Sequence, residues 1–467
     1  MTAVRALLAL LGLVSLGDGI LRWLLPDHVV DGASRTALAW LAGCGAGSVT
    51  LFALLLAGVP LPFACFAVAV LGLAGLAIAS VRRRHTFRPT RRPRRLGAFP
   101  LALGGVAVAA FVLGLGASLA RPLFAWDAWV NWSSKALVLV RDGGLTPALH
   151  ADPARLATNP GYPILLPLLE AHLFTVAGSE DPRLAAILPV LFHGALLVLL
   201  HAAVRRFGGE TAACGAAAIV ALTPLVACLV PAGLADPLVA AFVAGAFLLL
   251  ARLADARSLD PGTAAVAGLL VGSAAFTKSE GGVWAAIAAA AFAVCLSRAS
   301  VRDGGRAHII RSVAAFLVPA IAPVAAWQLF LRARGTVGYA FRPLALASLA
   351  DAPDRLPSLV ATVGRHLLSP GWGFVWPTMV LVLLVRRRAA LHAKDGLLVG
   401  APLLFLAIVP LAFLLSRFDP WLPHVVNSID RLTLQAFPLA VWWLAAQAVD
   451  SGALGRSDDP NEDEEAV

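Results

Sequence analysis

Long apolar runs recur along this chain, each roughly 17–25 residues long and set off from the next by a short polar or glycine-rich break. At about 1.5 Å rise per residue, a helix of that length crosses the ~30 Å hydrocarbon layer of a bilayer. Backbone amides find no water there, so each run must be a helix or a strand of a closed barrel. The period-2 alternation of barrel strands is missing. The chain therefore reads as an all-α polytopic membrane protein of about 12–13 transmembrane helices. Spans are expected over residues 4–25, 36–58, 61–81, 97–120, 183–204, 211–230, 236–253, 263–277, 281–297, 312–332, 371–385, 396–415 and 432–449. Residues 162–178 are apolar but short and hold two prolines, Glu170 and His172, so this segment either lies in the interface or re-enters. With 59% hydrophobic and 14% charged residues and a mean hydropathy of +0.82, a soluble domain of 467 residues is excluded.

The charge is unevenly spread. Eight arginines and no acids fill residues 82–95 between two apolar runs. Nucleic-acid binding is one reading of such a run. The positive-inside bias is preferred, so no nucleic-acid partner is expected and the loop marks the cytoplasmic side. Counting spans from it puts the basic stretches 205–206, 252–257, 298–311 and 386–394 on the same side. Residues 121–182, 231–236, 277–280, 332–370 and 416–431 then fall outside, as does the N-terminus. The first run continues through Gly17-Asp18-Gly19 without a small-x-small cleavage site and is expected to remain as a span. Three regions follow: accessory helices with the basic loop over 1–95, a main transmembrane unit over 96–450, and an acidic, disordered tail over 451–467.

Most of the polar chemistry falls in the outer loops. Trp126, Trp129 and Trp132 lie within seven residues, beside Asp127 and Lys135, directly after an apolar run. On a helical wheel the three indoles, Ala136 and Val140 share one side, and Asp127, Asn131, Ser134, Lys135 and Arg141 the other. That pattern predicts a helix lying flat in the interface, indoles in lipid and polar groups in water. Asp127 is either a helix-capping acid or a general base facing a cleft. Lys135 either snorkels to headgroups or meets a phosphate. A second surface helix is expected over 355–368, after Pro353.

Further candidates lie at the outer ends of spans. Tyr162 sits in the turn Asn159-Pro160-Gly161-Tyr162-Pro163. Glu170 downstream needs a partner or a watery cavity, with His172 or Lys135 as candidates. Asp236 precedes a proline, and Lys278 and Glu280 flank a break between two apolar runs, where a tight turn is expected. His424, Asn427, Ser428, Asp430 and Arg431 are expected just before the last span. Arg431 opposes the positive-inside bias, so it needs either the adjacent Asp430 or an anionic ligand. The five cysteines lie within apolar runs, without CxxC spacing or a histidine at ligand spacing, and are expected to be buried free thiols. No phosphate-cradling glycine loop, HExxH or GxSxG motif occurs.

The order WDAWVNWSSKAL (126–137), GYPILLPLLEA (161–171), ADP (235–237), FTKSEGG (276–282) and NSIDRL (427–432) resembles GT-C-fold glycosyltransferases. Among them it is most similar to bacterial members of the protein mannosyltransferase and aminoarabinose transferase superfamily. The resemblance runs from about residue 121 to the end of the last span, leaving the first three helices uncovered. It implies transfer of a sugar, with inversion, from a polyprenyl-phosphate-linked donor to an envelope glycan, lipid or protein, at the outer face of the bacterial inner membrane. Asp127 takes the place of the family's catalytic acid. Lys135, Lys278 and Arg431, in that order, are the implied cations for the leaving phosphate. Asn131, Tyr162, Asp236, Glu280 and His424 complete the expected substrate contacts. Many relatives pair two acids in the first loop, whereas Ala128 follows Asp127 here, so a metal is not expected and no cofactor is needed. Gly161 likewise stands where relatives often carry an acid. Two other readings stay open: a transporter of a lipid-linked intermediate, and an inactive scaffold of an envelope-polysaccharide complex.

Overall fold

The structure is a computed structural model. It describes residues 1–86, 96–146, 159–256, 259–298, 305–336, 350–386 and 393–452, except 27, 28, 31 and 122, together with 341, 342, 345 and 348. Most of the basic run 82–95 and the acidic end of the tail lie outside the described residues.

The chain is an all-α, multi-pass membrane protein, and among the described residues ten helices are long and apolar enough to cross a bilayer. In order, they begin with α1 (Thr2–Leu24), α2 (Gly32–Leu56), α3 (Leu61–Thr86) and α4 (Ala98–Ala120). A π-helical stretch, Ala128–Ser133, leads into the short α5 (Ser134–Arg141), then α6 (Leu165–Ala177) and α7 (Pro182–Leu222). After α8 (Pro224–Leu229) come α9 (Asp236–Asp255), α10 (Pro261–Thr277), α11 (Gly281–Arg298) and α12 (Gly305–Ala333). The amphipathic α13 (Ala352–Leu367), α14 (Val375–Val385), α15 (Ala393–Ile408) and α16 (Leu422–Asp450) complete the fold. Along α4 the apolar side chains face outward almost throughout, Leu113 being 73% exposed. Such a surface suits a lipid surround.

The ten fall short of the 12–13 expected: spans 263–277 and 371–385 become helices of 17 and 11 residues, and further elements also take a different form. The spans 183–204 and 211–230 are two legs of one 41-residue helical run, α7, which is about 62 Å long if straight. It reverses at Gly209, whose φ of 67° and ψ of −173° suit glycine alone. Segment 162–178 becomes α6, 13 residues or about 20 Å, too short to cross and buried on nearly every side. The last span starts ten residues early, so His424, Asn427, Ser428, Asp430 and Arg431 ride on α16 instead of preceding it. At 29 residues and about 43 Å, α16 is longer than the hydrocarbon is thick, and those residues occupy its first three turns.

Helix starts follow local chemistry. Asp181 caps α7 by accepting from the Arg183 amide at 3.0 Å, with Pro182 in the first turn. Asp260 caps α10 by accepting from the Thr263 amide and hydroxyl, both at 2.6 Å. Packing between spans relies on small residues. Gly268 and Gly272 sit four apart on α10, against the carbonyls of Phe316 and Pro319 on α12, closer than any β-carbon allows.

The bundle has two chemically distinct ends. Arg5 of α1 reaches Gly178, and the Leu61 amide donates to the Gly143 carbonyl at 2.8 Å, both at the end where α9 and α16 begin. At the other end Arg206 pairs with Asp255 at 3.5 Å, and Arg386 donates to the Gln447 carbonyl at 2.5 Å. Leu24 meets Gly262 there too, so α1 runs from the first end to the second. The relative placement of the first three helices thus follows the order counted from the basic loop.

Candidate functional site

Five separated pieces of sequence converge where α9, α10 and α16 meet the first long loop. Arg431 of α16 donates through Nη1 to Oδ2 of Asp127, and through Nη2 to the Ser428 hydroxyl at 3.4 Å. Asp236, in the first turn of α9, accepts from Lys278 Nζ at 2.9 Å and from Gln435 Nε2 at 2.7 Å, both at Oδ1. Lys278 also pairs with Glu280 at 3.4 Å. Behind this layer the Trp284 indole donates to Gln435 Oε1 at 3.2 Å. Tyr162 lies within electrostatic reach of Glu280, Lys278, Asp127 and Arg431.

The local backbone explains how these groups are held. α10 ends at Thr277 because Lys278 turns extended, and Gly281 donates back to the Lys278 carbonyl at 2.9 Å. A side chain at Gly281 would strike the Ala274 carbonyl, so this turn admits glycine only. The expected tight turn is therefore present, and it points Lys278 inward. Burial alone would lower the Lys278 pKa, but the carboxylates of Asp236 and Glu280 outweigh it and hold the ammonium above its ordinary value. Burial, followed by the Glu280 charge, raises the Tyr162 hydroxyl above its ordinary value, so it stays a neutral donor.

The wheel of the tryptophan segment needs correction. Trp126 and Trp129 are 71% and 54% exposed, as an interfacial position requires, but Trp132 is buried and stacks on Tyr162 with ring centroids 5.7 Å apart. Lys135, expected on the opposite side, is also buried: its Nζ lies 5.7 Å from the Trp132 ring and donates to the Asn159 carbonyl at 2.7 Å. The cause is the π-helical stretch, whose wider turn abandons the 100° step on which the wheel depends. Burial pushes the Lys135 pKa down to about 7. Asn131 is buried as well and accepts from Asn159 Nδ2 at 3.2 Å, so both residues brace the turn that presents Tyr162.

The other candidates separate in the fold. Arg141 pairs with Glu180 at 2.7 Å on the surface. Glu170 accepts from the Ser133 hydroxyl at 2.8 Å, instead of meeting His172 or Lys135. Asp430 faces His366 at 2.8 Å, leaving Arg431 to Asp127. His424 bonds to Ser416 at 3.0 Å inside a collar of Phe341, Phe413 and Phe418, near Arg431 and Asp127 but without a bond to either. Among the cysteines Cys228 is exposed, not buried, and Cys214 does have a histidine neighbour, His201, supplied by the reversal of α7.

A cavity of about 500 Å3 opens beside the cluster. Tyr162 and Glu280 belong to its wall together with Gln328, Arg332 and Thr336, while Val409 and Phe413 supply an apolar side. Among the described residues none donates to Glu280 Oε2, which is enclosed behind this wall. Arg332, Gln328 and Gln435 had no motif to mark them in the sequence. Arg332 read as a span end, and a glutamine inside an apolar run carries no spacing signature. Two larger cavities, about 660 and 640 Å3, lie toward the arginine-bearing end and are lined mainly by apolar side chains. Compared with protein-family models, with curated proteins and with solved structures, the chain matches none.

Proposed function

We propose that this protein is a membrane glycosyltransferase, moving a sugar from a polyprenyl-phosphate-linked donor to an envelope glycan, lipid or protein on the non-cytoplasmic face of a bacterial inner membrane. The observation that carries this reading is the Asp127–Arg431 pair next to the cavity walled by Tyr162, Glu280 and Arg332. A base and a cation are there held together, beside a space with one polar and one apolar side. A donor with a charged phosphate and a hydrocarbon tail needs both sides.

In this reading the acceptor hydroxyl attacks the anomeric carbon and its proton passes to the Asp127 carboxylate. The bond from the anomeric carbon to the phosphate oxygen breaks, and its electron pair leaves with the lipid phosphate. Of the three cations the resemblance implied, Arg431 is the one best placed for the charge that develops there. Lys278 is already held by two carboxylates and Lys135 is enclosed behind Tyr162, so the order of the three cations is the reverse of the one the resemblance implied. Arrival of the phosphate draws Arg431 away from Asp127 and frees the carboxylate to accept a proton. Glu280, whose side chain keeps 21% of its exposure at the cavity wall, suits a sugar hydroxyl.

The test is a panel of synthetic lipid-phosphate sugars incubated with the purified protein in detergent, with free polyprenyl phosphate as the readout. Consumption of one donor by the native protein, and about a 10²–10⁴-fold slower release by Asp127→Asn, is expected. A variant as active as the native protein removes Asp127 from the reaction. Movement of intact donor across a vesicle membrane, without bond cleavage, supports transport instead.

A further inference from the structure

A second group of ionisable side chains gathers far from the polar cluster, at the arginine-bearing end. The two legs of α7 meet there because Gly209 takes a left-handed φ of 67° and sends the chain back on itself. The reversal sets Glu210 and Cys214 of the returning leg against His201 of the outgoing leg. One imidazole nitrogen, one carboxylate oxygen and the thiol sulfur all lie within 4.8 Å of one another. His201 Nε2 and Glu210 Oε2 are 3.1 Å apart, and Arg205 holds the other oxygen, Oε1, at 3.4 Å.

We propose that His201, Glu210 and Cys214 form a divalent-metal site, with Zn2+ the ion its donors suit, which ties the two legs of α7 together at the reversal. Donor chemistry is the first reason. One imidazole, one thiolate and one carboxylate match the mixed nitrogen, sulfur and oxygen sets that zinc accepts. Spacing is the second. With metal–ligand bonds of about 2.0–2.3 Å, tetrahedral donors lie about 3.3–3.7 Å from one another, so small side-chain rotations convert this group into a coordination set. Charge is the third. Zn2+ with one thiolate and one carboxylate is neutral overall, which suits a position at the edge of an apolar bundle. On binding, Cys214 releases its thiol proton to solvent, and His201 binds through Nε2 as the neutral tautomer protonated on Nδ1. Arg205 remains on Glu210 Oε1 and orients the carboxylate, as an outer partner of a ligand does. Three protein donors leave a fourth position for water.

This inference stands apart from the glycosyl-transfer reading, since it concerns the other end of the molecule. The experiment uses the full chain in detergent, stripped with a chelator and titrated with Co2+. Near one equivalent, thiolate-to-cobalt charge-transfer absorption should appear, and Zn2+ should abolish it by competition. Cys214→Ser should lose the band and His201→Gln should weaken binding on the order of tenfold or more. Cys228→Ser, at the exposed cysteine, should leave both unchanged. Absence of the band in the native protein overturns the site, as does a band that persists in Cys214→Ser. Gel filtration of each variant separates loss of binding from loss of fold.

Discussion

Arg431 and Asp127 stand 304 positions apart in sequence, and their side chains are joined in the fold. One sits in the third turn of the final helix and the other just ahead of a π-helical stretch in the first long loop. Neither is fully enclosed: their side chains keep 16% and 21% of their exposure, so a ligand can reach the pair and exchange for one member. Arg431→Gln is expected to slow sugar release about 10²–10³-fold. The double variant with Asp127→Asn should be little slower than Asp127→Asn alone, because residues that act as a unit are not additive. Losses that multiply in the double variant would show that the two act independently.

Lys278 and Asp236 form a buried ion pair whose members depend on each other. Lys278→Met should destabilise the protein by about 3–5 kcal/mol, since it strands the Asp236 charge in the interior. Adding Asp236→Asn should recover most of that loss, because asparagine still accepts from Gln435 without carrying a charge. Thermal unfolding of the two variants in detergent decides the matter, and a double variant less stable than the single refutes the pairing.

Lys135 gives the fold a pH dependence of defined sign. Its pKa falls to about 7 in the folded state, from an ordinary value of 10.5, so between those limits the unfolded chain binds the extra proton. Its burial penalty is full below pH 7 and fades as pH rises toward 10.5. Relative to Lys135→Met, the native protein should therefore gain stability across that window, by at most about 1.4 kcal/mol per pH unit. A constant stability difference from pH 6 to pH 10 would contradict the neutral, buried amine.

Gly272 lets α10 and α12 approach until no β-carbon fits between them. Gly272→Val is expected to cost about 1–3 kcal/mol or more and to lower the folded yield. Gly282 has open space around its missing side chain, and Gly282→Ala serves as the matched control. Equal melting points for the two variants would show that the close approach contributes little.

Membrane class, helical fold and the sides on which loops cluster follow from hydropathy and arginine placement, because each rests on the solvent a segment prefers. The turn at Lys278–Gly281 and the surface helix Ala352–Leu367 are local as well, and glycines, prolines and amphipathic spacing announce them. Trp132 and Lys135 mark where local reasoning stops, since a π-helical stretch shifts the helical phase by an amount that no residue pattern specifies.

The tryptophan segment, the TKSEGG turn and the charged head of the last helix each carry a recognisable excess of polarity in an apolar chain. Composition and spacing alone are enough to single them out as candidates. Which acid meets which base is settled by helix packing across the bundle. Arg431 takes Asp127 over its neighbour Asp430 because α16 turns Asp430 toward His366. The contact of Gln435 with Asp236 has the same origin, because partners far apart in the chain are chosen by three-dimensional proximity, whereas His201 meets Cys214 through the local reversal at Gly209.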